Sequence, residues 1–251
     1  MKSFLNVKYG PMDVHKLDIY LPDENEFPVF LFYHGGGIEA GDKSLPDYIV
    51  EYFTKNGIAL ISADYRMYPD YKFPDYIEDA ALAAAWVKKN ISTYGKSKGL
   101  FVGGISAGGY ISMMLCFDRQ YLAKHNMSCD DIAGFIHDCG QPTTHYNICK
   151  YEYKIHSLRV LIDEKAPIYH IDDNIIPTPM YFIISDDDMP MRYEQTQLML
   201  KTMEIFGYDM KNKIEYKLMH GTHGHYIYMQ EDNGESVYGK LLVPFIKKFT
   251  K

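Results

Sequence analysis

Short apolar runs alternate with amphipathic stretches along most of the chain, and the two have different periods. Residues 2–9 and 14–21 flank the Gly10-Pro11 turn with β-type patterning, which predicts two early strands. Residues 28–33 (PVFLFY) form a continuous apolar run that ends at His34-Gly35-Gly36-Gly37. Residues 58–63 (IALISA) form a second run behind the Asn56-Gly57 breaker. Behind Pro74, residues 75–91 carry an Ala-rich helical pattern. Residues 99–103 (GLFVG) read as the next buried strand, 107–124 as a helix and 132–138 as a strand. A strand at 180–185 (MYFIIS), a helix near 193–206, a strand at 214–219 (IEYKLM) and a helix near 236–249 complete the pattern.

Continuous apolar runs are the mark of strands buried on both faces, and the helices between them supply the cover. The expectation is an α/β fold with a mostly parallel central sheet of about eight strands and helices on both faces. The first two strands make an antiparallel edge. A chain of 251 residues suits a single domain. Residues 140–179 break the rhythm with Pro142, Pro167, Pro177 and Pro179. An irregular stretch of that length inside a compact domain is expected to be functional, here a small lid-like insertion.

Composition narrows the class. Hydrophobic residues at 47% and charged residues at 24% fit a globular chain rather than a disordered or fibrous one. A net charge of -7, with no stripe of Lys or Arg, argues against a nucleic-acid partner. No apolar run reaches the roughly 18–20 residues of a membrane span. The opening MKSFLNVKYGPMDV lacks an apolar segment followed by a cleavage site, so no secretory signal is expected. Cys116, Cys129, Cys139 and Cys149 form no CxxC pair, which favours free thiols and a cytoplasmic location. The 23 Tyr outnumber a single Trp. Scattered structural tyrosines are the simpler reading, and a sugar-stacking surface the more specific one.

Two glycine-rich motifs carry the chemistry. Gly104-Ile105-Ser106-Ala107-Gly108 is a GxSxG pentapeptide directly after one strand and before a helix. That is the context of the α/β-hydrolase nucleophile, whose tight turn needs small neighbours and lifts the hydroxyl into a cleft. The following helix points its positive end at a developing oxyanion. An incidental serine in a βα turn is the bland alternative. His34-Gly35-Gly36-Gly37 follows an earlier strand and can present free amides. It lacks the Lys-Ser/Thr ending or GxGxxG spacing of a phosphate loop. The amide after the nucleophile, Ala107, is the second partner expected of an oxyanion hole.

On these residues the chain resembles the hormone-sensitive-lipase-like branch of the α/β-hydrolases, an esterase/lipase group with an HGGG motif. Asp64-Tyr65-Arg66 with Pro69, Phe73-Pro74 and Glu78-Asp79 are similar to that group's segment after the fourth strand. Ala166-Pro167 and Pro179 are similar to its landmarks before the acid-bearing strand. The resemblance runs from about residue 14 to the C-terminus. It implies that Gly36, Gly37 and Ala107 supply the oxyanion amides. Members usually carry a helical cap ahead of the HGGG strand. Here 33 residues precede His34 and the early strands use them, so the cap is expected to be missing or vestigial.

The acid and base follow the order Ser, Asp, His. Asp186, Asp187 and Asp188 follow one strand, and His220, His223 and His225 follow the next. The resemblance favours Asp188, because in this fold the acid commonly ends a short turn nine residues beyond a Pro, and Pro179 to Asp188 matches that count; Asp186 and then Asp187 follow. His223 is preferred because Thr222-His223-Gly224 resembles the family's His-Gly context, ahead of His225 and His220. A metal site built from the same His and Asp residues is the weaker reading, because HxxHxH is no established ligand spacing. The expected function is hydrolysis of a small-molecule ester with a short, acetyl-like acyl group, with no cofactor and no metal. An amidase or formamidase of the same fold is the runner-up, and a non-catalytic ligand-binding hydrolase fold the alternative from another class. A homodimer is compatible with this reading. The polar, Tyr-rich stretch 140–179, with the loop after His34, is expected to roof the site.

Overall fold

The computed structural model describes residues 1–250. Its strands are β1 (Lys2–Lys8), β2 (Lys16–Leu21), β3 (Glu26–Tyr33), β4 (Ala59–Ala63), β5 (Lys96–Ile105), β6 (Gly134–Asp138), β7 (Met180–Asp187) and β8 (Ile214–Thr222). They form one eight-stranded sheet in the order β1-β2-β4-β3-β5-β6-β7-β8. β1 and β2 pair antiparallel, as do β2 and β4; every other pairing is parallel. This is the expected sheet with its antiparallel edge.

The continuous apolar runs are explained by burial on both sides. Along β3, Val29, Leu31 and Tyr33 enter one core, while Phe30 and Phe32 enter the other. In β5, Leu100 and Val102 face the first core, and Phe101 and Ile105 the second. Side chains of a strand alternate faces, so a strand with two buried faces has no polar phase. Helices α2 (Asp75–Asn90), α3 (Ala107–Phe117) and α6 (Arg192–Ile205) cover the first core. Helices α1 (Asp47–Lys55) and α7 (Val237–Phe249) cover the second.

Two elements differ from the expectation. The helix foreseen over 107–124 ends at Phe117, and a short α4 (Gln120–Ala123) follows. Asp118 leaves the helical region at φ -91°, ψ 91°, and its carboxylate accepts from the Gln120 side chain at 2.8 Å. A short polar side chain that bonds ahead in the chain competes with helix continuation. Helix α1 was not foreseen. Its apolar face is Ile49, Val50 and Phe53, one helical stripe preceded by Pro46 and opened by Asp47. The stretch 140–179 contains a turn of helix, α5 (Tyr146–Ile148), that runs into a wider turn at Cys149–Tyr153, and a 3₁₀ turn at Pro167–His170.

The candidate residues all gather at one edge because parallel strands end together. β3, β5, β7 and β8 release their C-terminal segments on the same side, where α/β sheets carry their sites.

Candidate active site

Ser106 sits between β5 and α3 at φ 57°, ψ -112°, a backbone conformation that non-glycine residues rarely adopt. The surrounding chain holds it there. The Ser106 amide donates to the Asp138 carbonyl at 2.7 Å. A Cβ at Gly104 would lie 2.2 Å from the Tyr33 carbonyl oxygen, and one at Gly108 would lie 1.9 Å from the same atom. The two glycines of the pentapeptide are therefore demanded by the close approach of β3.

From Ser106 a chain of hydrogen bonds runs inward. Ser106 Oγ lies 2.8 Å from His223 Nε2, and His223 Nδ1 lies 2.5 Å from Asp188 Oδ1. With Nδ1–H facing the carboxylate, Nε2 is left to accept the serine proton. The Asp188 side chain is 1% exposed and that of His223 25%. Burial is the largest single influence and resists ionisation of Asp188, but the hydrogen bond and charge of His223, with Cys139 and Arg192, together outweigh it. The carboxyl is held below its usual range. Asp188 is thus a buried carboxylate, and the serine end of the chain is open to a substrate.

The other candidates do not join this chain. Asp186 Oδ2 pairs with His220 Nδ1 at 2.6 Å, and Asp186 Oδ1 accepts from the Gly221 amide at 2.8 Å. His225 Nδ1 turns to the Thr222 carbonyl oxygen at 2.8 Å, and Asp187 is exposed. The three histidines therefore face three different partners rather than one point. The group of ligand-type atoms found within 4.8 Å of one another among the described residues is Cys139, Asp188 and His223.

Register explains the split. Ser185 pairs with Met219 and Asp187 with Thr222, so His220 and Gly221 oppose the single residue Asp186. This is a β-bulge, which shifts the face of everything after it by one residue. Asp186 braces the bulge, and His223 emerges on the side of Ser106.

On the opposite side of the serine, Gly36 and Gly37 have φ of 101° and 67°. Among the described residues the amides of Gly36, Gly37 and Ala107 donate to no protein acceptor. His34 itself is turned away. It is buried, stacked on Tyr65 with ring centroids 4.3 Å apart, and its Nδ1 is 2.7 Å from the Gly35 carbonyl oxygen. Burial pushes its pKa down to about 4, which leaves it a neutral support for the glycine turn.

Several supporting residues escaped sequence reasoning. Asp138 is fully buried at the end of β6, where desolvation raises its pKa to about 7. It accepts a hydrogen bond from Tyr226, three residues beyond His223. Cys139 Sγ lies 3.3 Å from the same tyrosine hydroxyl. The end of β6 therefore touches the serine by its backbone and the histidine loop through Tyr226. Arg192, 3% exposed, donates to the Cys139 carbonyl oxygen and reaches Gln141 Oε1 at 3.3 Å. Nothing local in the sequence distinguishes Arg192 from a surface arginine at a helix start.

A cleft of about 400 Å³ opens at Ser106 and His223. Its floor includes Phe32, Leu45 and Ile227, and its margin Asp42, Ser44 and Tyr228. The tyrosine that lines this cleft is thus Tyr228 rather than one of 140–179. That stretch reaches the site at Gly37, where Asn147 Nδ2 donates to the carbonyl oxygen at 2.5 Å and the Tyr146 hydroxyl packs close.

The family described as BD-FAE matches residues 17–139. Esterase LipI of Mycobacterium tuberculosis is 38% identical over 96 residues, covering 38% of this chain and 30% of that protein. Carboxylic ester hydrolase LipN of the same organism is 37% identical over 92 residues, covering 36% of this chain and 24% of that protein. The chain thus spans less than a third of the length of these curated relatives. Among solved structures, the apo form of Thermogutta terrifontis esterase 2 superposes with a TM-score of 0.77 at 21% identity, over 100% of this chain and 96% of that one. Among the described residues no helix is long and apolar enough to cross a membrane. With the sheet order, the serine turn and these likenesses together, the chain has the α/β-hydrolase fold, and it is similar over about half its length to the BD-FAE family and over a shorter stretch to esterases such as LipI.

Proposed function

We propose that the chain is a serine carboxylic-ester hydrolase acting on esters of short, acetyl-like acids. The observation that carries this reading is the continuous hydrogen-bonded run Ser106–His223–Asp188 beside the unpartnered amides of Gly36, Gly37 and Ala107. Ser106 Oγ attacks the ester carbonyl as its proton passes to His223 Nε2. Asp188 holds the Nδ1–H and stabilises the imidazolium. The three amides bind the oxyanion, and they act most strongly on charge that exists only in the transition state. His223 then protonates the departing alkoxide. Water, activated by the same imidazole, releases the acid from Ser106.

The short-acyl preference rests on space. A Cβ on Gly37 would lie 2.1 Å from the Tyr146 hydroxyl, so that side of the oxyanion turn is closed. Behind Tyr146 lies a separate pocket, not lined by Ser106, of about 20 Å³ between Tyr146, Met189 and Arg192, room for about one water-sized group. Each further buried CH₂ is worth about 0.8 kcal/mol only where a wall exists to receive it. The relatives named as ester hydrolases support the ester over the amide.

A fluorophosphonate probe followed by peptide mapping tests the reading: label on Ser106 is expected, and its absence would exclude a catalytic serine. A series of acyl esters of one alcohol, with N-formyl amides beside it, tests the substrate class. kcat/KM is expected to peak between acetyl and butyryl. A maximum at about eight carbons or more, or a preference for the amides, would replace the proposed substrate.

A further inference from the structure

Three side chains that can each ligate a metal meet at the ends of β6, β7 and β8. Cys139 follows β6, Asp188 follows β7 and His223 follows β8. One sulfur, one carboxylate oxygen and one ring nitrogen of the three lie within 4.8 Å of one another. On the Asp188 side His223 presents Nδ1, since its Nε2 faces Ser106. The run to Ser106 uses Asp188 Oδ1 and leaves Oδ2 over. That oxygen has no hydrogen-bond partner, although the Asp188 side chain is only 1% exposed. A buried carboxylate oxygen left unpaired is costly, and a cation is a group that satisfies it.

The thiol is brought to this group by a constrained backbone. Cys139 has φ of 47°, in the left-handed region that residues with a Cβ seldom occupy. Two anchors hold it there. Its amide donates to the Ile183 carbonyl oxygen at 2.8 Å, and the buried Arg192 guanidinium donates to the Cys139 carbonyl oxygen. Sγ then lies 3.3 Å from the Tyr226 hydroxyl, with the Asp188–His223 pair in reach. Cys139 is fully buried, so it stands as a neutral thiol, and its proton leaves when a cation takes that place.

We propose that Cys139, Asp188 and His223 form an inhibitory site for a thiophilic divalent cation, with Zn²⁺ as the type. The inhibition rests on the hydrolase reading; the site itself does not. Zn²⁺ holds sulfur at about 2.3 Å and nitrogen or oxygen at about 2.0–2.2 Å, so the Asp188–His223 contact opens and the sulfur closes in by about 1 Å. The thiol proton passes to solvent. Neutral His223 keeps one ring proton, which moves to Nε2 as Nδ1 takes the metal. An Nε2–H cannot accept the proton of Ser106, so hydrolysis stops with no bond made to the serine. Arg192, buried beside Cys139, opposes a cation, and binding is therefore weaker than in a closed four-ligand zinc site.

Zn²⁺ titration of acetyl-ester hydrolysis tests the inhibition. The wild-type chain should lose activity reversibly and regain it on adding a chelator. Cys139→Ser should weaken the inhibition at least about 10-fold, as loss of even an outer partner of a metal site does. His220→Ala should leave it unchanged. Co²⁺ tests the site without turnover. The Ser106→Ala variant loaded with Co²⁺ should show thiolate-to-cobalt absorption, and adding Cys139→Ser or His223→Ala should abolish it. His223 lies in a partly exposed loop, so its variant reads the site even if Cys139→Ser fails to fold. Inhibition relieved by His220→Ala but not by Cys139→Ser places the ion on the outer Asp186–His220 pair and overturns the proposal. So does a wild-type chain that takes fluorophosphonate on Ser106 yet keeps full activity in millimolar Zn²⁺, or a cobalt band that survives both substitutions. A cobalt band with the expected losses, in a chain that hydrolyses no ester, supports the site and removes the hydrolase reading.

Discussion

Two Asp–His pairs stand at the ends of β7 and β8, and their contact distances are nearly equal. Asp188–His223 is 2.5 Å and Asp186–His220 is 2.6 Å. Their surroundings differ. In the inner pair the side chains are 1% and 25% exposed, and the imidazole continues to Ser106. In the outer pair they are 39% and 88% exposed, and the histidine meets no further partner among the described residues. A short carboxylate–imidazole contact is therefore not a catalytic signature by itself. The inner pair has a low-dielectric setting and a contact to Ser106; the outer pair is screened by water and braces a bulge.

The largest expected effect concerns what the inner pair serves. Ser106→Ala should lower turnover on the order of 10⁶-fold, as for a nucleophile acting as part of a unit. Near-normal ester hydrolysis by that variant would falsify the assignment. His223→Ala should cost a comparable factor, whereas His220→Ala should cost less than about five-fold, as an exposed ion pair allows. If the two losses proved similar, the contrast between the pairs would collapse. Asp188→Asn should lower kcat about 10⁴-fold by presenting the wrong tautomer of His223, with Asp186→Asn again a small change. Steady-state kinetics on one acetyl ester measures all of these.

The smallest effect sharpens the contrast by pH. Burial acts to raise the Asp188 pKa, but His223, Cys139 and Arg192 together more than offset it. The Asp186 carboxyl is lowered by the Gly221 amide and then by His220. For a carboxylate with a depressed folded pKa, the stability is present above the unfolded value of about 3.9 and is lost as pH falls through the folded value. Asp188→Asn should therefore flatten the acid limb of stability below about pH 4. The part of any such effect of Asp186→Asn that comes from His220 should shrink near 1 M salt, where the screening length is about 3 Å, leaving the Gly221 hydrogen bond. Denaturant unfolding between about pH 2 and 6 at low and high salt reads both. A salt-sensitive Asp188 contribution would mean that the inner pair is wetter than its burial indicates.

Legibility in the sequence followed the range of the interaction concerned. The strand and helix positions, the Ser106 turn and the glycine turn at 34–37 are read from patterns spanning fewer than about 20 residues. The Gly104 and Gly108 requirement is written in residue identity, because any Cβ there meets the Tyr33 carbonyl. Helix α1 was missed although its stripe is present, since nine residues between a glycine-rich loop and a strand carry little periodicity. The break at Asp118 follows from a side-chain bond that a helical pattern does not display.

Order along the chain pointed to one Asp and one His from two clusters as partners of Ser106, and local context could rank the members. Which ones meet Ser106 was decided by pairing across 35 residues, where the bulge at His220–Gly221 shifts the register by one. Strand side chains alternate with a period of two, so a single inserted residue exchanges the inward and outward faces. The same holds for the buried support from Asp138, Tyr226 and Arg192. Their burial is a property of neighbours brought from distant parts of the chain, and no local pattern encodes it.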